Sequence, residues 1–114
     1  MKNERKIYIL SSINNDEVVY KIGYTKNNVN ERVKQLKTGN CESIDINYIS
    51  EPTIFFSKIE KYLHKYYEEY NIDGEWFLLS KEEVSTIPNR INKLINTYQD
   101  LYNDNAYFKK EIDN

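Results

Sequence analysis

Four residue types in this chain could do chemistry at the spacings they have: Lys21, Arg32, and Glu60 with His64. Glu60 and His64 stand four positions apart, so on a helix they lie one turn apart and point to a common spot. A carboxylate on a rigid element is the kind of ligand that hard divalent cations take, with water and substrate filling the remaining positions. The imidazole of His64, the only histidine, belongs to the one side-chain type whose ordinary value suits proton transfer near neutrality. Arg32 offers a planar, bidentate donor suited to phosphate oxygens. Each has a plainer reading: an exposed helix glutamate beside Lys61, a filler histidine, a surface arginine paired with nearby acids. Lys21 interrupts an apolar run where a structural strand would prefer valine.

Positioning them requires a strand, a turn and two helices. Val18, Val19, Tyr20 and Ile22 read as a short buried strand ending at Gly23, where the missing β-carbon permits a close approach. Asn28 with Glu31 is an N-terminal helix signal, so a helix begins at Val29, buries Val29, Val33 and Leu36, and stops at Gly39. Lys6–Ser12 is a first strand, with Tyr8 on the face of Lys6 and Leu10. Asn14-Asn15-Asp16 turns it into a hairpin with the strand just described. Ser43–Ser50 is a third strand, with Ile44, Ile46 and Tyr48 alternating. Pro52 opens a second helix to about Tyr70, with a core stripe of Ile59, Leu63, Tyr66 and Tyr70. Asp73-Gly74 is a turn before a short strand, Glu75–Leu79, in which Trp76 or Phe77 must be largely buried. Ser80 with Glu83 reads as a capping box for a long helix whose stripe is Val84, Ile87, Ile91, Leu94, Ile95, Tyr98 and Leu101, kinked or restarted at Pro88. Beyond Tyr102 the chain is polar and is expected to fray.

The 114 residues suit one domain. One cysteine, Cys41, excludes an internal disulfide and a thiolate metal site within the chain. No segment is apolar enough to span a bilayer, no signal-type run follows the N-terminus, and a cytoplasmic home is the simplest. The net charge of −2 argues against a strong non-specific nucleic-acid binder. The basic residues are nonetheless concentrated early, eight Lys/Arg against four Asp/Glu in residues 1–40. A polyanion would meet Lys21, Lys26, Arg32, Lys34 and Lys37 there, with modest, salt-sensitive affinity. A solvated face is the preferred reading for Lys34 and Lys37. No phosphate-cradling glycine loop, Ser–His–Asp motif or zinc signature is present.

The ordered set KIY at Lys6–Tyr8, KIG at Lys21–Gly23 with Thr25, Arg32, Glu60-x-x-x-His64 and GEWF at Gly74–Phe77 resembles the GIY-YIG nuclease superfamily, in the phage-associated branch that writes its second motif KIG. The resemblance spans Lys6 to Leu79. It implies an α+β fold, a small antiparallel sheet of about three strands flanked by helices. That core would be residues 6–79, followed by a helical extension at 80–103 and a polar tail at 104–114. It further implies a Mg²⁺- or Mn²⁺-dependent endonuclease acting on DNA, phage- or mobile-element associated. Tyr8, Lys21, Arg32 and His64 would be catalytic and Glu60 the metal ligand. Gly23, Thr25 and Glu75 would support them, and Lys26, Lys34 and Lys37 would meet nucleic acid. The departures are Lys6 for the first glycine, Lys21 for the second tyrosine, and Leu36 where many relatives have histidine or tyrosine. They leave a second reading, a module that binds nucleic acid or a protein partner without cutting. A monomer is expected, with a homodimer through the C-terminal helix as the alternative.

A lysine ordinarily titrates near ~10.4 and is a cation at neutral pH, so Lys21 suits binding phosphate rather than accepting a proton. Tyr8 would need help to ionise. His64 has the edge as the base.

Overall fold

The computed structural model describes residues 3–38 and 43–114, the side chains of Lys37 and Thr38 excepted. The expected helix stop at Gly39, the thiol Cys41 and the side chain of Lys37 therefore lie outside the described residues. The fold is α+β. Its elements are β1 (Lys6–Asn14), β2 (Glu17–Thr25), α1 (Val29–Thr38), β3 (Ile44–Ile49), α2 (Phe56–Tyr66), β4 (Asn71–Asp73), β5 (Trp76–Phe77), α3 (Lys81–Asp104) and α4 (Ala106–Asp113), with a 3₁₀ turn at Glu68–Tyr70. The strands make one antiparallel sheet in the order β3-β1-β2-β5-β4, five strands rather than about three. The two further strands arise because Trp76 and Phe77 dock beside β2, and Asp73-Gly74 is a hairpin turn, with Gly74 at φ +55, that folds Asn71–Asp73 back onto them.

Strand alternation divides the chemistry from the core. Ile7, Ile9, Tyr20 and Ile22 face α2 and α3, joining Ile59, Leu63, Tyr67, Phe77, Ile87 and Ile91 in the main apolar cluster. Fully burying each such side chain contributes roughly 1.5–3 kcal/mol. Tyr8 and Leu10 face the other way, onto Val29 and Val33 of α1, with Ile44 and Leu36 beside them. In β3 the alternation fails. A register shift opposite Ile9/Leu10 puts Ile44 on the α1 face, sends Tyr48 towards the main cluster and leaves Ile46 exposed.

The second helix is shorter at both ends than expected. Backbone bonds between Arg5 and Thr53 keep the entry extended, and the Thr53 hydroxyl accepts from the Phe55 amide at 3.1 Å. Helix therefore starts at Phe56, not Pro52. At the far end Tyr67 takes the core position expected of Tyr66, and Tyr66 and Tyr70 are exposed. Ser80 caps α3 through the Glu83 amide at 3.1 Å, as the capping box requires. The Glu83 carboxylate instead accepts from the Tyr67 hydroxyl at 2.9 Å, which pushes that phenol up to about 12 by burial and the nearby anion. The helix runs through Pro88 without restarting.

The expected polar tail is a helix. Asn105 caps α4 by accepting from the Phe108 amide, and Phe108 and Ile112 pack on the main cluster, with Phe108 stacked 5.9 Å from Tyr98. Lys58 pairs with Glu111 and the Tyr102 hydroxyl donates to Asp113. Two apolar residues four apart amid polar ones were too sparse a stripe to read as helix without that cap. Along α3, Ile91 is buried, Leu94, Ile95 and Tyr98 are partly buried against the core, and Leu101 remains exposed. No helix among the described residues is long and apolar enough to cross a membrane.

Candidate active site

Tyr8 and Gly23 are directly opposite each other in the β1–β2 ladder, and Leu10 is opposite Lys21, so Tyr8, Lys21 and Gly23 share one face. Val29 and Val33 of α1 pack on this face over Tyr8 and Leu10 of β1 and Ile44 of β3. From α1, Arg32 leans across and donates from Nε to the Tyr8 hydroxyl at 3.4 Å. Its Nη1 donates to Gln35 Oε1 at 3.3 Å, one turn further along the same helix. The helix that delivers it is capped as the sequence foretold, Asn28 Oδ1 accepting from the Asn30 amide at 2.8 Å.

Glu75 enters from the β4–β5 turn. Its Oε1 is 3.0 Å from Lys21 Nζ, and the same ammonium lies 5.7 Å from the centre of the Trp76 ring. Gly23 makes room for this meeting. A β-carbon there would stand 2.6 Å from the Tyr8 hydroxyl and 2.9 Å from Glu75 Oε1. The phenol and the carboxylate thus crowd the one point of space that any other residue would fill.

Glu60 and His64 come from α2, which packs on the opposite face. Strand β5 is only two residues long, and beyond it β2 bonds to the turn, Ile22 N–H to the Glu75 carbonyl at 3.1 Å. His64 reaches this same stretch. Its Nε2 donates to the Ile22 carbonyl at 2.8 Å, and its ring meets Phe77 edge-on at 5.0 Å. The hydrogen bond fixes the tautomer, leaving Nδ1 as the nitrogen free of that carbonyl. Glu60 is half-buried one turn earlier. Burial raises its carboxyl above the ordinary value, Glu75 raises it further, and His64, Lys21 and Lys61 oppose them. The Tyr8 phenol is likewise raised, chiefly by burial and against the pull of Arg32, with Glu75 and Glu60 adding to the rise. The hydrogen bond to Tyr8 is also the main influence holding Arg32 in its charged form.

Tyr8, Lys21, Gly23, Arg32 and Glu75 are therefore in direct contact or share one crowded point, and Glu60 and His64 join them electrostatically from the sheet edge. Among the described residues Thr25 makes no polar contact with this cluster. Its hydroxyl accepts from the Asn27 amide at 3.1 Å and shapes the turn into α1. Lys26 and Lys34 are exposed. Two participants were not anticipated. Gln35, at i+3 from Arg32, was discernible from helical spacing. Trp76 beside Lys21 depended on the β2–β5 register, which pairs those two residues.

The donor set fits a hard divalent cation of the sort that takes one or two protein carboxylates. Glu60 is a desolvated carboxylate pressed by a second one, and a cation would relieve both effects. Among the described residues no three His, Cys, Asp or Glu side chains are grouped to form an all-protein metal cage.

An antiparallel α+β domain with a cation-and-carboxylate cluster on its sheet is the class defined so far. The family follows from comparison: the T5orf172 domain model matches residues 5–92, and the chain belongs to that family. It is a domain found in phage and nuclease-like proteins, which gives the chain a nucleic-acid-related function in the broad sense. The matched span ends within α3, so α4 lies outside it. No curated protein and no solved structure matches the chain.

Proposed function

We propose that the chain is a divalent-metal-dependent endonuclease that hydrolyses phosphodiester bonds in DNA, with the GIY-YIG-like site described above. The observation that carries this reading is the point above Gly23. There a phenol and a carboxylate are packed together, with Arg32 3.4 Å from the phenol and Lys21 3.0 Å from the carboxylate. Cations held against a buried phenol and a partly exposed carboxylate form a preorganised receptor for a phosphate group.

Arg32 and Lys21 bind the phosphate oxygens, and Arg32 meets the charge that grows on them as the bond to water forms. Lys21 leaves Glu75 for the phosphate, and Glu75 keeps it aligned in the unliganded site. Tyr8 fixes the Arg32 fork. Its raised phenol makes it a hydrogen-bonding group rather than the base. His64 takes the water's proton at Nδ1, since its other nitrogen is committed to the Ile22 carbonyl. A new P–O bond forms from the water oxygen as the P–O bond to one sugar oxygen breaks, and that oxygen leaves with the bonding pair and takes a proton from solvent. Glu60, with Glu75 near it, would hold Mg²⁺ or Mn²⁺, which supplies neutralisation of phosphate charge when bound.

The test is cleavage of plasmid and single-stranded DNA with Mg²⁺ or Mn²⁺, and its loss in Glu60→Ala with the fold retained. Cleavage that persists in that variant removes Glu60 from the mechanism. No cleavage by the wild type with any metal or DNA form would leave a module that binds without cutting.

A further inference from the structure

One cavity lies on the same sheet face as the site and has no part in the chemistry above. Its volume is about 370 Å³, within the range of small-ligand clefts. It is lined by Val19, Ile13, Ile72 and Trp76, with Asn14 and Asp73 among its polar members. Register places it. Lys21 pairs with Trp76 across β2–β5, Trp76 pairs with Asp73 across β5–β4, and Val19 pairs with Ser12 across β2–β1. Val19 is two residues from Lys21 on the same side of β2, about 7 Å along the strand. The cavity is thus the next step along the sheet from the ammonium that would bind phosphate. Trp76 stands between them, half-buried, with Lys21 Nζ 5.7 Å from its ring centre.

We propose that this cavity binds a nucleobase of single-stranded or locally unstacked DNA, stacked on Trp76, belonging to a nucleotide next to the phosphate held by Lys21 and Arg32. The proposal deepens the nuclease reading and rests on it. Three features select a base over other occupants. An aromatic face beside a basic residue is the usual platform for single-stranded nucleic acid, because every base has a stackable face. The apolar wall of Val19, Ile13 and Ile72 is exposed in part, Ile13 and Ile72 to about half their surface, and a flat ring would cover it. Asp73 repels phosphate, which keeps the backbone at Lys21, yet can accept a hydrogen bond from the amino or imino edge of a base.

Trp76 is the chain's only tryptophan, so its emission reports on this cavity alone. The intact protein is titrated with a short single-stranded oligodeoxynucleotide at low salt, without divalent metal so that no cleavage intervenes. Excitation lies at the red edge, beyond tyrosine absorption. Binding is followed in parallel by the anisotropy of a dye-labelled copy. The expected result is quenching of Trp76 over the concentration range of the anisotropy rise. An oligonucleotide of the same length built from abasic residues should bind about tenfold more weakly and leave the emission unchanged. By anisotropy, Trp76→Phe should keep most of the affinity and Trp76→Ala should lose about tenfold, circular dichroism confirming the fold of each. Binding without any change in emission, or equal affinity for the abasic strand, would overturn the nucleobase site. If cleavage is intact in that case, the nuclease reading survives alone. Absence of binding in both signals likewise overturns the nucleobase site, and plasmid cleavage with Mg²⁺ or Mn²⁺ then decides the nuclease reading by itself.

Discussion

Replacing Gly23 with alanine tests the site through one atom. Gly23 is buried, two pairs in from the end of the β1–β2 ladder, and its backbone is not in the left-handed region, so alanine brings no backbone strain. What it brings is a β-carbon 2.6 Å from the Tyr8 hydroxyl oxygen, 2.8 Å from the ring carbon that bears it, and 2.9 Å from Glu75 Oε1. Carbon atoms ordinarily settle at ~3.5–4.0 Å, so the phenol must retreat by about 1 Å. It has nowhere soft to go, being 1 % exposed and packed on Leu10, Val29 and Val33. Overpacking of this kind costs about 1–3 kcal/mol. A less flexible unfolded chain offsets ~0.4–1 kcal/mol of that. The net is about 1–2 kcal/mol, or a fall of roughly 3–10 °C in melting temperature. Activity should fall much further. The displaced phenol carries Arg32 with it and the carboxylate carries Lys21, and a misplacement of about 1 Å costs on the order of 10²-fold in rate. Urea unfolding with plasmid cleavage on the same preparation separates the two effects. Adding Tyr8→Phe should return part of the stability, because the hydroxyl is the nearest atom, and none of the activity. A Gly23→Ala protein that melts with the wild type and cleaves within a few-fold of it would refute the argument that this approach organises the site.

Arg32→Ala should fold normally, since the side chain is half-exposed on α1, and should lose about 10²-fold or more in rate, as removal of an oriented charge-stabilising donor does. Glu60→Gln should abolish metal-dependent cleavage and be at least as stable as the wild type at pH 7. Burial and Glu75 raise the Glu60 carboxyl, so the protonated acid favours the fold below its ordinary value and that contribution is lost as pH rises through the raised one. The stability difference should therefore close as pH is lowered to about 4, and a thermal-melt series that shows it widening would contradict the assignment. His64→Ala should erase the rise of rate with pH along with most of the activity, and a variant that keeps both would return Tyr8 to the role of base.

Much of the site was legible because it is written in short-range rules. The Asn28 cap, the Lys21–Gly23 alternation and the one-turn separation of Glu60 from His64 each need only local geometry, and each holds. What escaped depends on pairing between distant segments. Nothing local says that Asn71–Asp73 becomes a strand until Trp76 and Phe77 dock beside β2. With that docking come the Lys21–Trp76 pairing and the cavity beyond it. The β3 alternation misled for the same reason, since the register shift opposite Ile9/Leu10 is a property of two strands rather than one. The entry to α2 failed on a tertiary override, the Arg5–Thr53 bridge holding Thr53 in a strand-like pairing, followed by a turn at Ile54 and Phe55, where the pattern would have allowed helix. The last helix escaped because its stability is borrowed from Phe55, Tyr98 and the Lys58–Glu111 pair rather than from its own sequence.

The charge balance of the cluster bears on how a chain of net charge −2 can meet a polyanion at all. Lys21 and Arg32 are opposed locally by Glu60 and Glu75, so the unliganded site presents little net field, and Lys21 is already held 3.0 Å from Glu75. A phosphodiester arriving alone would have to compete with Glu75 for Lys21 and would be repelled by Glu60. With a divalent cation on the carboxylates, that repulsion disappears and Lys21 is freed to meet the phosphate. Metal and DNA should therefore bind with positive coupling, each raising the other's affinity by the same factor. Stability points the same way, because the raised Glu60 carboxyl is a cost to the folded chain at neutral pH that a bound cation would remove. On the nuclease reading proposed above, the site would take up metal and substrate together, and its weak field without them fits the modest, salt-sensitive binding that the composition implies.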